Sequence, residues 1–123
     1  VQTCALPISS IADELERHTG AIVAERDGAM IGCVLFRLYE GDLYFGRLAV
    51  LPEARGLGLA KRLIAAVERQ AQLMRLPAVR LGVRVALTGH QKLFRSLGYR
   101  EISREAHPGF AQPTSINMRK VLL

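Results

Sequence analysis

The 123 residues carry 17 lysines and arginines against 11 acidic residues, a formal charge of +6, and are 50% apolar but only 6% aromatic. That length suits one domain with its own core, and the apolar half excludes an intrinsically disordered chain. No apolar run reaches the roughly 20 residues of a membrane span, and Cys4 and Cys33 make neither a disulfide framework nor a metal pattern, which points to a reducing, cytoplasmic setting. The positive charge suits an anionic ligand and nucleic acid alike, so by itself it selects neither.

Residues 1–8, Val1-Gln2-Thr3-Cys4-Ala5-Leu6-Pro7-Ile8, resemble the translation of a common sequencing adapter. On that reading they are a non-native segment to be kept out of fold reasoning, ahead of a single domain over 9–123; the other reading is a genuine N-terminal strand. Ser9 or Ser10 can cap a short helix, Ile11 to His18, with Asp13 and Glu14 in its first turn and Gly20 as its stop. Ala21 to Glu25 reads as a strand, Asp27-Gly28 as a hairpin turn, and Met30 to Leu38 as the partner strand. Glu40-Gly41-Asp42 makes a second turn into a third strand, Leu43 to Leu51. Regular alternation there puts Tyr44, Gly46, Leu48 and Val50 on one face, and Gly46 is a candidate bulge.

Pro52 has no N–H for a ladder and ends that strand. The turn that follows, Arg55-Gly56-Leu57-Gly58-Leu59-Ala60-Lys61, leads into apolar residues at helical spacing. Glycines at 56 and 58 allow a sharp turn and a close approach of ligand to main chain. The helix then starts with unpaired N–H groups and the positive end of its dipole. Such a turn can hold a phosphate or pyrophosphate, with Arg55 and Lys61 adding charge. It is not a P-loop, and Lys61 stands where a dinucleotide turn wants its third glycine.

The helix over about Gly58 to Arg75 presents Leu59, Leu63, Val67 and Ala71 along one ridge, with Lys61, Arg62, Glu68, Arg69 and Gln70 toward water. Leu76-Pro77 closes it. Ala78 to Val85 alternates as a strand, so strand, helix and strand form a βαβ unit with parallel strands. Thr88 can cap a second helix, Gly89 to Leu97, stopped by Gly98. Tyr99 to Glu105 and Ser115 to Val121 read as an antiparallel pair joined by a loop with His107-Pro108-Gly109-Phe110.

The order of elements from Ser9 to Leu123 resembles the GNAT superfamily of N-acetyltransferases. Arg55-Gly56-Leu57-Gly58-Leu59-Ala60 is similar to that family's [Gln/Arg]-x-x-Gly-x-[Gly/Ala] pyrophosphate loop. Leu48-Ala49-Val50-Leu51-Pro52 is similar to the strand before it, and Leu93-Phe94-Arg95-Ser96-Leu97-Gly98-Tyr99 to the family's helix-to-strand signature. The resemblance implies an α/β (α+β) fold with a mixed, mostly antiparallel sheet and helices on both faces. A central parallel strand pair would splay around the cofactor, and the family's first strand and helix would be missing.

The resemblance further implies acetyl-CoA as co-substrate and a primary amine as acceptor, attacked directly in a ternary complex. Main chain of Leu48, Ala49 and Val50 would pair with the pantetheine arm. Arg55, Gly56, Leu57, Gly58, Leu59, Ala60 and Lys61 would hold the pyrophosphate, with Phe94 also against the cofactor. A main-chain N–H of Leu48 or Ala49 would stabilise the oxyanion. No metal is implied, nor any covalent intermediate, so Cys33 reads as core. Many members carry a proton-donating tyrosine where Phe94 stands; His90, Ser96 and Tyr99 are the substitutes within reach in sequence, beside solvent itself, and Tyr99 reads also as a core residue. Tyr44, Arg47 and Asp42 are polar groups near the strand's middle. Arg47 reads either as an attractor for an acidic acceptor or as a solvent-facing residue, and His107 either as a base or as part of a turn.

Two other functions remain open: a CoA-binding protein without catalysis, and a basic nucleic-acid-binding domain. Scattered basic residues and few aromatics speak against the second, leaving a small-molecule or peptide amine as the expected partner, with neither nucleic acid nor membrane, and a monomer or homodimer as the expected state.

Overall fold

The computed structural model of the protein describes residues 2–4, as backbone, and residues 20–122. The expected helix over 11–18 and its serine caps lie outside the described residues. Seven strands are hydrogen-bonded in one sheet: β1 (Gln2–Cys4), β2 (Gly20–Arg26), β3 (Ala29–Tyr39), β4 (Asp42–Val50), β5 (Ala78–Arg84), β6 (Arg100–Glu105) and β7 (Ser115–Val121). Their spatial order is β1-β2-β3-β4-β5-β7-β6, and every neighbouring pair is antiparallel except β4–β5. Gln2–Cys4 therefore forms a strand at the edge, against Val23–Ala21 of β2. Helices α1 (Leu59–Leu73) and α2 (Thr88–Ser96) follow β4 and β5.

The two hairpins are tight because both turns sit in the left-handed region that matches strand twist. Asp27 and Gly28 have φ of 51° and 80°, and Glu40 and Gly41 have 47° and 82°. Asp42 is thus not a turn residue. It opens β4 with its side chain buried, hydrogen-bonded by Arg80 Nε at 2.5 Å and Arg119 Nε at 2.8 Å. The Arg119 hydrogen bond, seconded by Arg80, holds its carboxyl below the usual carboxylate range despite burial.

Leu43, Phe45, Val79, Leu81 and Val83 face a core closed by the α1 ridge Leu59, Leu63, Ile64, Val67 and Ala71, all buried. Phe45, Phe94 and Tyr99 meet edge-on in that core, with ring centroids 6.1 to 6.3 Å apart. Both described helices thus pack into the same cluster.

The alternation expected along β4 breaks at one place. Leu35 pairs with Gly46 and Cys33 with Ala49, so Arg47 and Leu48 together stand opposite Val34. This bulge adds one residue and reverses the alternation beyond it. Leu48 and Val50 consequently pack against the core, not on the face of Tyr44 and Gly46. Arg47 takes the strain, at φ 55°, a conformation rare outside glycine.

Two helix ends also differ from expectation. Leu87, not Thr88, is the residue before α2, and no side chain caps it; Thr88 is already helical. The far end closes as Gly98 predicts: at φ 99° its N–H bonds Arg95, while Tyr99 N–H returns to Phe94. Glu68, expected in water, is half-buried: it accepts from the Tyr99 hydroxyl at 2.9 Å and from Lys120 Nζ at 3.0 Å. Among the described residues no helix is long and apolar enough to cross a membrane.

Candidate functional site

Parallel pairing of β4 with β5 stops early. Leu43, Tyr44 and Phe45 pair with Val79, Arg80 and Leu81, and no pairing continues beyond them although both strands do. The bulge supplies the reason, because the extra residue bends β4 just past the last pair. The strands diverge, and a cleft of about 900 Å³ opens between them. Leu48, Ala49 and Val50 line one wall, Gly82, Val83 and Arg84 the other. Backbone groups that would otherwise pair across the sheet face this gap, which suits an extended ligand bearing amides.

At the mouth of the cleft stands the glycine turn. Gly56 and Gly58 have φ of 81° and 74°, and a Cβ on either would meet nothing within 4 Å. Gly58 is the residue before α1, with no side-chain cap, and the first main-chain bond of the helix is Arg62 N–H to Gly58 C=O. Among the described residues no group accepts from the N–H groups of Gly56 through Lys61. Unpaired amides at the positive end of a helix dipole suit an anion. Arg55 is held beside them by a 3.3 Å bond from its Nε to Val50 C=O. Gly56, Leu59, Ala60 and Lys61 line a hollow of about 210 Å³ that shares Val50, Arg55 and Ala60 with the cleft. Exposed Leu57 is the loop tip.

The floor belongs to α2. His90, Leu93 and Phe94 lie three and four residues apart and turn one helical face to the cleft. Gln91 anchors this helix by donating from Nε2 to Val85 C=O at 2.7 Å.

The residues singled out from sequence divide accordingly. Leu48, Ala49, Val50, Arg55, Ala60, His90 and Phe94 line one continuous cleft, with Gly56, Gly58, Leu59 and Lys61 at its mouth. Tyr99 does not line it. Its hydroxyl is buried against Glu68, and burial first, then the Glu68 carboxylate, pushes its pKa far up. Ser96 spends its hydroxyl on Leu93 C=O at 2.6 Å. Exposed His107 bonds Thr114 through both its main-chain N–H and its ring nitrogen, tying down the β6–β7 loop. Burial raises the Cys33 thiol, yet Cys33 is only half-buried and lies outside the core cluster in which the sequence placed it. No group of three His, Cys, Asp or Glu that could hold a metal occurs among the described residues.

Arg84, Leu87 and Leu93 also line the cleft and were not foreseen. A signal for two of them existed: Leu87, His90 and Phe94 share helical spacing, so a face containing His90 and Phe94 should include their neighbours.

The acetyltransferase (GNAT) family model matches residues 2–99. A curated relative, N-acetylaspartate synthetase of Rattus norvegicus, is 36% identical over 87 residues, covering 69% of this chain; the chain spans only 29% of that protein. Among solved structures, an IAA acetyltransferase from Bacillus cereus superposes with a TM-score of 0.80 at 16% identity, over 98% of this chain and 97% of that one. A GNAT family acetyltransferase from Elizabethkingia anophelis with acetyl-CoA bound gives 0.75 at 17%, over 96% and 86%. A ribosomal-protein-alanine N-acetyltransferase from Brucella melitensis gives 0.74 at 22%, over 95% and 80%. With a cleft between diverging parallel strands and uncapped amides at its mouth, the chain belongs to the acetyltransferase (GNAT) family.

Proposed function

We propose that the chain transfers an acetyl group from acetyl-CoA to a primary amine by direct attack. The observation that carries this reading is the row of main-chain N–H groups from Gly56 to Lys61 that find no acceptor among the described residues, at the mouth of a strand gap. The residues present fit the co-substrate: open glycines give a diphosphate room to approach, and Arg55 and Lys61 bring compensating charge. Acetyl-CoA supplies a thioester whose acetyl carbon accepts the nucleophile.

The chain's own part is binding and polarisation. The walls at Leu48–Val50 and Gly82–Arg84 offer backbone donors and acceptors to the pantetheine amides. A main-chain N–H of Leu48 or Ala49, re-aimed by the bulge, donates to the carbonyl oxygen as charge builds there. The amine nitrogen forms the new C–N bond while the C–S electron pair departs on sulfur, and the proton the amine gives up ends on that thiolate. We assign the passage of that proton to His90, which lines the cleft, with solvent as the other route.

Release of CoA thiol from acetyl-CoA across a panel of primary amines tests the reading. Thiol release that depends on an amine supports it; the absence of both turnover and acetyl-CoA binding ends it. A second reading, CoA binding without catalysis, is favoured by Phe94, which stands in the cleft with no hydroxyl. Retained acetyl-CoA binding without turnover on any amine would select it.

Tyr99 gives a control. Tyr99→Phe removes a hydroxyl bonded to a carboxylate, so stability falls by about 1.5 kcal/mol in urea titrations. Its turnover per folded molecule stays at the parent value, and a drop of tenfold would return Tyr99 to the chemistry.

A further inference from the structure

A second cavity opens on the sheet face opposite α1. It measures about 260 Å³ and is lined by Arg37, Tyr44, Ser103, Glu105 and Asn117 among others. Arg37 and Tyr44 are direct cross-strand partners, so the guanidinium lies on the ring, 5.0 Å from its centroid. The Tyr39 ring stands 5.3 Å away on the same guanidinium, and the two rings are 5.9 Å apart. Arg80 and Arg119 are committed to Asp42, and Arg80 also reaches Glu40. Arg37, by contrast, has no carboxylate partner among the described residues.

Elsewhere on the cavity wall the charge has the other sign. Glu105 accepts from Asn117 Nδ2 at 3.1 Å, and that amide also reaches Ser103 at 2.9 Å. No lysine or arginine pairs with Glu105 among the described residues. Arg80 and Glu40 also line the cavity, but they pair with each other at 3.3 Å, so Arg37 and Glu105 are its charges without an opposite partner among the described residues.

This cavity adjoins the cleft. The Tyr44 hydroxyl lies 2.9 Å from where a Cβ on Gly82 would stand, and Leu81 lines both spaces. Gly82 is the residue just past the last β4–β5 pair, so its bare backbone lets the Tyr44 phenol reach the point where the strands part. A ligand seated over Tyr44 has its reactive end at the cleft.

We propose that this cavity seats the acceptor and selects an amine that also carries a carboxylate, of amino-acid size, with the carboxylate on Arg37 and the amine on the Glu105 side. The inference rests on the acetyl-transfer reading and names its substrate class. A guanidinium pre-ordered against two rings loses little freedom on binding and matches a carboxylate with two parallel hydrogen bonds. A polyamine or a lysine-rich segment brings only positive charge to Arg37.

The test compares amino acids with their decarboxylated amines on the 123-residue chain, at saturating acetyl-CoA. The preferred amino acid is expected to exceed its decarboxylated counterpart about a hundredfold in kcat/KM, the scale of two charge-assisted bonds. Arg37→Gln raises KM for the amino acid to within threefold of the amine's and leaves calorimetric acetyl-CoA affinity unchanged, while Arg37→Lys recovers part of the difference. Equal use of both acceptor classes by the parent chain, or an equal effect of Arg37→Gln on both, overturns the proposal. Calorimetric titration with amino acids alone keeps the two readings apart. Arg37-dependent binding in a chain that does not take acetyl-CoA supports the seat while the transfer reading falls; acetyl-CoA binding with no Arg37-dependent amino-acid binding or use removes the seat alone.

Discussion

Gly58→Glu is expected to abolish acetyl-CoA binding, with calorimetric affinity falling by at least a hundredfold. The substitution places a carboxylate at the φ 74° position that opens α1, where a Cβ has open space and ligand phosphate is proposed to lie. Like charges about 4 Å apart at an effective dielectric constant near 20 repel by about 4 kcal/mol, which is on the order of a thousandfold in affinity. Some of the cost falls on folding, because a side chain in the left-handed region costs about 1 kcal/mol. Gly58→Ala separates the two: it carries the backbone cost without the charge, and its affinity should fall by less than about tenfold. If Gly58→Glu retains parental affinity while folded by circular dichroism, the pyrophosphate does not sit on this turn.

Asp42→Asn carries the largest expected effect on stability. The Asp42 carboxylate is 2% exposed and is the shared acceptor of Arg80 and Arg119, whose side chains are 21% and 31% exposed. Removing one member of a buried ion cluster costs about 3 to 5 kcal/mol; the partial exposure of both arginines places this case near 3. The loss should appear in urea or thermal unfolding. The cluster joins β4, β5 and β7 at the end where they pair, so it holds the base from which the cleft diverges.

The same group sets an acid limb. Its folded pKa lies below the unfolded value, so its contribution is fully present above about pH 4 and is lost as pH falls through the folded value. Asp42→Asn should be less stable than the parent at neutral pH and converge toward it in acid. A constant gap between the two from pH 7 to pH 2 would show that Asp42 is not the titrating group.

From β2 onward the strands, the two described helices and the glycine turn were legible because each is written in local sequence. Leu59, Leu63, Val67 and Ala71 recur at helical spacing and are the buried ridge of α1. Val79, Leu81 and Val83 alternate and are buried in β5. The bulge was only half legible. Gly46 marked its neighbourhood, but the extra residue is Arg47, and nothing local in the sequence tells which residue of a strand lacks an opposite number. Leu48 and Val50 changed faces for that reason.

The ion clusters were not legible at all. Asp42 finds its arginines 38 and 77 residues away, and Glu68 finds Tyr99 and Lys120 at 31 and 52. Glu68 read as a solvated helix charge because its own helix presents only its spacing, and its burial depends on where β7 and the end of α2 come to rest. Tyr99 reads from sequence as a proton donor or a core residue; the sheet beneath it decides for the core, with its hydroxyl on Glu68.

By itself the sequence determined the element order from β2 onward, the parallel β4–β5 pair and the glycine turn at the head of α1, since these depend on neighbours a few residues apart. Only the tertiary structure decided how far the two strands stay paired, which side chains share the cleft, and that Arg37 and Glu105 border one cavity. Those relations join segments that meet through sheet register, and register follows from the packing of the whole sheet rather than from any one stretch of chain.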